Sequence, residues 1–228
     1  IKHVPFLNSL SNNVVSCIVE DNKHNLWIGT SDGGLNYYDN ASQLYKNYLF
    51  NSGNLDVPFK DIKTVYVDEV QDRIYVGAHA GGMMVLHRKS GYIEYYNRHN
   101  SNLPSNNIYS IISDGYGGLW VASLEYLLHF DIDKRNFTIV DVDEDGHKLQ
   151  QYNRLLFCDS KKRIWAGGEM GISVFNQVGT SLLPNTDFQI ASVLKQAFVN
   201  CFYETSSGYL WIGTRNGLFA LKESDKQF

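Results

Sequence analysis

Five polar side chains, Asp32, His79, Glu125, Glu169 and Arg215, stand beside short turns at recurring points of this 228-residue chain. Such groups donate and accept hydrogen bonds, and Tyr126 next to Glu125 adds an aromatic face, a combination suited to a polar ring such as a sugar. Taken singly, each also reads as a solvated loop tip. His79, between Gly77 and Gly81, reads first as a loop histidine. A second candidate is Asp141-Val142-Asp143-Glu144-Asp145-Gly146, which copies the start of a calcium loop. Its twelfth position is Tyr152 rather than a bidentate Glu and no helical pattern flanks it, so a solvated outer connection is the better reading. The seven His residues show no H-x-x-x-H or H-E-x-x-H spacing and the three Cys residues no C-x-x-C, so neither a metal nor another cofactor is expected. A G-x-S-x-G elbow and a Walker-type phosphate loop are also absent.

These candidates sit on a repeat. Trp27-Ile28-Gly29-Thr30, Tyr75-Val76-Gly77-Ala78, Trp120-Val121-Ala122-Ser123, Trp165-Ala166-Gly167-Gly168 and Trp211-Ile212-Gly213-Thr214 are five versions of one pattern. Their aromatic anchors lie 48, 45, 45 and 46 residues apart, and all four Trp residues occupy this position. A period of roughly 40–50 residues means an array of identical supersecondary units.

Each unit offers four short runs of strand-forming residues separated by links rich in Asn, Asp, Gly and Ser. In the first unit they are 14–20, 26–30, 35–38 and 44–48. Four antiparallel strands per unit of about 45 residues is the blade of a β-propeller, so the fold class is all-β with five four-stranded blades. The blades fall near 10–50, 57–98, 103–141, 149–187 and 197–228 of a single domain spanning 1–228. Residues 1–6 would serve as a closing outer strand for the last blade. A closed five-bladed ring and a piece of a larger propeller both remain open.

The small residue two places after each anchor is expected to let the neighbouring blade approach, so Gly213→Val should be strongly overpacked. Six places after the anchor, Gly33, Gly81, Gly171 and Gly217 are expected at positive φ in the second-to-third-strand turn. Unit three has Tyr126 there, so its turn must be built differently.

Composition narrows the partners. The formal charge is −4 with acids and bases scattered, which argues against a nucleic-acid or anionic-membrane surface. No apolar run approaches the roughly 18 residues of a membrane span, so direct membrane insertion by this segment is not expected. No leader is visible at Ile1-Lys2-His3-Val4, and the chain reads as an excised fragment. Cys17, Cys158 and Cys201 lie in apolar runs and read as core thiols rather than a disulfide.

Leu10-Ser11-Asn12-Asn13-Val14, Glu20-Asp21, Leu26-Trp27-Ile28-Gly29-Thr30 and Gly34-Leu35 together resemble the two-component regulator propeller repeat. Leu103-Pro104-Ser105-Asn106-Asn107-Ile108 with Leu119-Trp120-Val121 repeats the match, and Leu210-Trp211-Ile212-Gly213-Thr214 with Gly217-Leu218 closes it. The resemblance implies a periplasmic sensor region of a hybrid two-component histidine kinase anchored in the inner membrane. It also implies an oligosaccharide signal, control of glycan-utilisation genes, a homodimeric full-length receptor and no catalysis by this segment. The family usually has seven-bladed propellers, an immunoglobulin-like domain, a membrane helix and a kinase; this chain has five repeats and none of the rest.

Two other classes compete. Ser113-Asp114 leading into Gly117-Gly118-Leu119-Trp120 is close to the Asp-box hairpin of sialidases, itself a structural motif. Glycosidase chemistry would need clustered arginines, a nucleophile and paired acids, which nothing in the sequence assembles. A lyase-like propeller would use a His base. A protein-interaction scaffold could use Tyr37-Tyr38, Tyr45, Tyr48 and Tyr95-Tyr96, although most of these alternate as blade-packing residues do.

Overall fold

The computed structural model describes residues 8–48, 59–140, 153–185 and 194–222, and every regular element among them is a β-strand. The first sheet contains β1 (Val15–Glu20), β2 (Leu26–Thr30), β3 (Gly34–Asp39) and β4 (Leu44–Tyr48). The second contains β5 (Ile62–Asp68), β6 (Arg73–Ala78), β7 (Gly82–His87) and β8 (Ile93–Tyr96). The third contains β9 (Ile108–Ser113), β10 (Leu119–Ser123), β11 (Leu127–Asp131) and β12 (Asn136–Ile139). The fourth contains β13 (Asn153–Cys158), β14 (Arg163–Gly168), β15 (Gly171–Val178) and β16 (Ser181–Pro184), and the fifth β17 (Val199–Glu204), β18 (Tyr209–Thr214) and β19 (Gly217–Lys222). Strands consecutive in sequence are neighbours in every sheet. These are the blades of an all-β propeller fold. The fifth shows three strands among the described residues. Residues 1–6 and the Asp141–Gly146 segment lie outside the described residues.

The chain gathers into two compact units, Ile1–Ile111 and Ile112–Phe228. In the first unit Trp27, Leu35, Ile62, Val76 and Met84 form a core between the first two sheets. In the second, Trp120, Leu156 and Phe175 join sheets three and four, and Trp165, Val199 and Ile212 join sheets four and five. The anchor aromatic is the centre of this packing: Trp27, Tyr75, Trp120 and Trp165 are at most 3% exposed. Full burial of a large apolar side chain stabilises by about 1.5–3 kcal/mol, so the repeated anchor is a main source of cohesion. Trp211 departs from the pattern at 36% exposure.

The small residue after the anchor behaves as its position requires at three blades. A Cβ on Gly29 would lie 2.6 Å from Ile62 Cγ2, one on Gly77 would lie 2.5 Å from Ile108 Cγ2, and one on Gly167 would lie 2.9 Å from Val199 Cγ1. Each notch therefore takes a β-branched residue from the first strand of the next sheet. Gly213 corrects the expectation: a Cβ there would meet Cys201 Sγ of its own sheet at 2.6 Å and, among the described residues, none of another sheet.

The turn glycines also differ from expectation. Thr30 pairs with Gly34 and Ala78 with Gly82, leaving three-residue turns, whereas Gly168 pairs with Gly171 and Thr214 with Gly217 across two-residue turns. Positive φ falls on Gly171 and Gly217 as expected. In the first two blades it falls one place later, on Gly34 and Gly82. Gly33 and Gly81 are small for packing instead, since a Cβ would strike Asn12 Cβ at 2.6 Å and Phe59 Cδ2 at 2.9 Å. The Tyr126 turn is indeed different: Ser123 N–H donates to the Tyr126 carbonyl at 2.9 Å around a two-residue loop, and Tyr126 carries no positive φ.

All three cysteines are free. Cys17 and Cys158 are half-buried, but Cys201 is exposed and so is not a core thiol. The tyrosines weighed as a partner surface are mostly packing groups. Tyr37 lies 4.6 Å from the Trp27 ring, Tyr38 4.8 Å from Tyr45, and Tyr95 5.8 Å from Phe59.

Candidate functional site

A β-bulge recurs at the start of four blades. The ladder shifts between Val15 and Cys17, Ile62 and Thr64, Asn153 and Leu155, and Val199 and Cys201. The inserted residues are Ser16, Lys63, Arg154 and Asn200. A bulge re-aims a side chain at the strand end, here the end that carries the second-to-third-strand turn. Two bulge residues are cations, and each reaches an acid there.

In the second blade Lys63 Nζ bonds Asp61 at 2.9 Å, and Asp61 lies 3.8 Å from His79 Nδ1. The His79 amide also donates to the Asp61 carbonyl at 2.9 Å. In the fourth blade Arg154 Nη2 bonds Glu169 Oε1 at 2.5 Å. Arg154 Cζ lies 6.0 Å from the Phe198 ring, and Arg215 Cζ lies 3.7 Å from the same ring. Arg215 is anchored further by its amide, which donates to the Phe198 carbonyl at 3.0 Å. The second unit thus holds one connected cluster, Glu169–Arg154–Phe198–Arg215, spanning the fourth and fifth blades.

The cluster sets one carboxylate and two guanidinium groups around a single aromatic ring. Arg215 stacks on an aromatic face while its planar fork stays exposed, a geometry that favours carboxylate, sulfate or hydroxyl pairs on a ligand.

The structure sorts the sequence candidates unevenly. Glu169 and Arg215 are brought together. His79 belongs to the analogous, smaller arrangement of the first unit. Asp32 is exposed at the second position of its turn with φ +62. Glu125 is exposed in the two-residue turn of the third blade, and Tyr126, which closes that turn, is half-buried. Asp32 and Glu125 stand five places after their anchors and are second turn residues, whereas His79, Glu169 and Arg215 stand four places after theirs and are first ones, so the five do not share one position. Sequence reasoning missed Arg154 and Phe198. Arg154 is a bulge residue, and no motif marks a bulge in advance; Phe198 precedes the bulged strand of the last blade.

At the opposite end of each sheet a second recurrent feature is structural. Asp21, Asp68, Asp114 and Asp159 each accept two backbone N–H bonds from the turn between the first and second strands, at 2.7–3.0 Å. Thr205 replaces the acid in the fifth blade and accepts from Tyr209 N–H at 3.0 Å. The hairpin at Ser113-Asp114 is therefore a turn clamp, like its equivalents. Among the described residues no group of three or more His, Cys, Asp and Glu gathers as a metal site would.

Comparison with known proteins follows the same lines. The family model described as the two component regulator propeller matches residues 9–32, 102–125 and 194–216. A histidine kinase, P4, of Formosa agariphila is 30% identical over 151 residues, which are 64% of this chain and 11% of that protein. Two solved extracellular domains from B. thetaiotaomicron share the fold. One, assigned to a hybrid two-component system, has a TM-score of 0.79 at 20% identity over 99% of this chain and 29% of that one. The other, assigned to a one-component system, has a TM-score of 0.74 at 24% identity over 93% of this chain and 29% of that one. PorZ, a surface component of the type-IX secretion system of Porphyromonas gingivalis, has a TM-score of 0.72 at 15% identity over 97% of this chain and 34% of that one. The chain spans about a tenth of the curated relative and under a third of the first two structures.

Proposed function

Since this chain carries two-component regulator propeller repeats, we propose that it is the ligand-sensing propeller of a hybrid two-component histidine kinase, held in the periplasm, with an oligosaccharide as its signal. In this reading residues 1–228 act as one non-catalytic sensor domain. The full-length receptor is a homodimer in the inner membrane, and its output is glycan-utilisation genes. The observation that carries the ligand-binding part is the Glu169–Arg154–Phe198–Arg215 cluster. It combines a half-buried aromatic face with charged groups that differ from those of the equivalent turns, which is how a constant scaffold acquires specificity.

Sugar hydroxyls would pair with Glu169 and with the exposed edge of Arg215, and an acidic substituent would be held by the two guanidinium groups. Binding would be read out by stiffening of the turns rather than by bond cleavage.

The test is calorimetric titration with an oligosaccharide panel on the parent chain and on Glu169→Ala and Arg215→Ala. Loss of one charge-assisted hydrogen bond should weaken binding about tenfold. Full affinity in both variants, or glycan cleavage that tracks with the pure protein, would remove this reading.

A further inference from the structure

A cavity of about 510 Å³ opens at the other end of the third and fourth sheets, between the turn after β9 and the turn after β13. Its size falls in the range of about 300–1,000 Å³ typical of small-ligand sites. We infer that this cavity is a second binding site, for an acidic sugar unit whose ring lies on Tyr116 and whose anionic group meets Lys162.

The walls are fixed before any ligand arrives. Gln177, on β15, donates from Nε2 to the Asp114 carbonyl at 2.5 Å and to the Gly179 carbonyl at 2.9 Å. Its Oε1 accepts from Trp120 Nε1 at 3.2 Å, so one side chain ties the third blade to the fourth. A site braced in this way loses little entropy on binding.

Charge selects the ligand. Asp114 and Asp159 line the cavity, but both are spent on the fold. Asp114 Oδ1 accepts from Tyr116 and Gly118 N–H at 2.7 and 2.8 Å, and Oδ2 pairs with His129 Nε2 at 2.8 Å. Asp159 Oδ1 accepts from Lys161 and Arg163 N–H, and Oδ2 accepts from Arg163 Nε at 2.6 Å and Trp165 Nε1 at 2.8 Å. Each carboxylate thus has a basic partner of its own. Lys162 makes no ion pair or side-chain hydrogen bond among the described residues, so its ammonium is the group left over for a ligand.

Shape adds the ring. Tyr116 is 69% exposed at a turn tip between Gly115 and Gly117, whose φ values are +75 and +96. A large aromatic face kept in water at the mouth of a cavity is suited to stacking on a flat, polar-edged ring. The Ser113 hydroxyl at the rim accepts from Gly115 N–H at 3.0 Å and keeps its own proton to donate. That the ligand bears an anion follows from the cavity; that its ring is a sugar rests on the function proposed above.

Cys158 lines the same cavity and reports on it. The 228-residue chain is pulsed with iodoacetamide, with Cys158 and Cys17 alkylation followed by mass spectrometry. Three probes are compared: an oligogalacturonate, a neutral galactose oligomer and adenosine monophosphate. The oligogalacturonate should slow alkylation at Cys158 and leave Cys17 unchanged. The concentration of oligogalacturonate that half-protects Cys158 should rise about tenfold in Tyr116→Ala and in Lys162→Ala and recover in Lys162→Arg. Both substituted side chains are exposed, and unchanged thermal melting verifies that the fold is kept. Equal protection by the neutral oligomer, tighter binding of the nucleotide, or no protection by any probe overturns the inference. Binding lost in Arg215→Ala but intact in the Tyr116 and Lys162 variants places the sugar at the other end of the sheets; this site then falls while the sensing function stands.

Discussion

Ile62 of the second blade sits where a side chain on Gly29 of the first would begin, its Cγ2 2.6 Å from the position of an added Cβ. The same relation joins Ile108 to Gly77 and Val199 to Gly167. Blade-to-blade packing is therefore set by a notch and a β-branched knob, and the notch tolerates no methyl group without displacement of the neighbour.

The first prediction contrasts a filled notch with an open one. Gly77→Ala should lose about 1–3 kcal/mol, because the clash is with Ile108 Cγ2 at 2.5 Å inside a packed junction. Gly213→Ala should lose less, since it meets Cys201 Sγ, the end of an exposed side chain that can turn away. Urea unfolding of both variants measures the difference, and equal losses would show that notch filling is not the cause.

A second prediction concerns Arg88, which bonds Glu69 at 2.6 Å and Asp72 at 2.7 Å and lies 3.6 Å from Asp21. Its side chain is 17% exposed, and its removal takes the cation from Glu69 and Asp72, each 30% exposed. Arg88→Ala should cost about 1–3 kcal/mol, the scale of losing hydrogen bonds to charged groups that keep partial contact with water. Arg88→Lys should recover little, because an ammonium cannot serve this fork geometry. Thermal unfolding of the two variants decides the point.

Acid titration supplies the third. Burial of Asp21 would raise its carboxyl, but the Asn25 backbone and side-chain donors and the Lys23 amide more than offset this and hold it below the ordinary carboxylate value. A lowered folded value gives stability that is complete above the unfolded pKa of about 3.9 and is lost as pH falls from there toward the folded value. Asp21→Asn should therefore be less stable than the parent at neutral pH, with the gap narrowing below about pH 4. A gap that stays constant from pH 6 to pH 3 would contradict it.

The thiols provide the fourth. Desolvation by burial raises both Cys17 and Cys158, which depletes their reactive thiolate at neutral pH. Cys201 is exposed and should be alkylated first. Site-resolved mass spectrometry after a short iodoacetamide pulse at about pH 7.5 gives the order, and a faster Cys17 would refute it.

The spacing of Trp27, Tyr75, Trp120, Trp165 and Trp211 carried the blade architecture because each anchor needs the same strand environment. Less could be read where geometry depends on one inserted or deleted residue. Gly33 and Gly171 look equivalent six places after their anchors, yet a three-residue and a two-residue turn put the positive φ on Gly34 in one and on Gly171 in the other. Arg154 was hidden more deeply, since a bulge leaves the alternation of a strand nearly intact and only the partner strand reveals the shift. The common role of the turn acids Asp21, Asp68, Asp114 and Asp159 emerges only from the structure, because their partners are backbone amides, which carry no residue signature.

The uncovered indole of Trp211 makes the protein an optical instrument. Trp27, Trp120 and Trp165 are sealed at 3%, 0% and 0% exposure, while Trp211 stands at 36%. A water-borne quencher such as iodide will therefore extinguish the emission of one tryptophan and spare three. Whatever comes to lie on the face of the fifth sheet, whether another domain, a second copy or a ligand, will shift that emission to the blue and shield it. The fourfold-repeated residue that builds the blades thus becomes, at its last occurrence, a built-in spectroscopic marker of what the final blade touches.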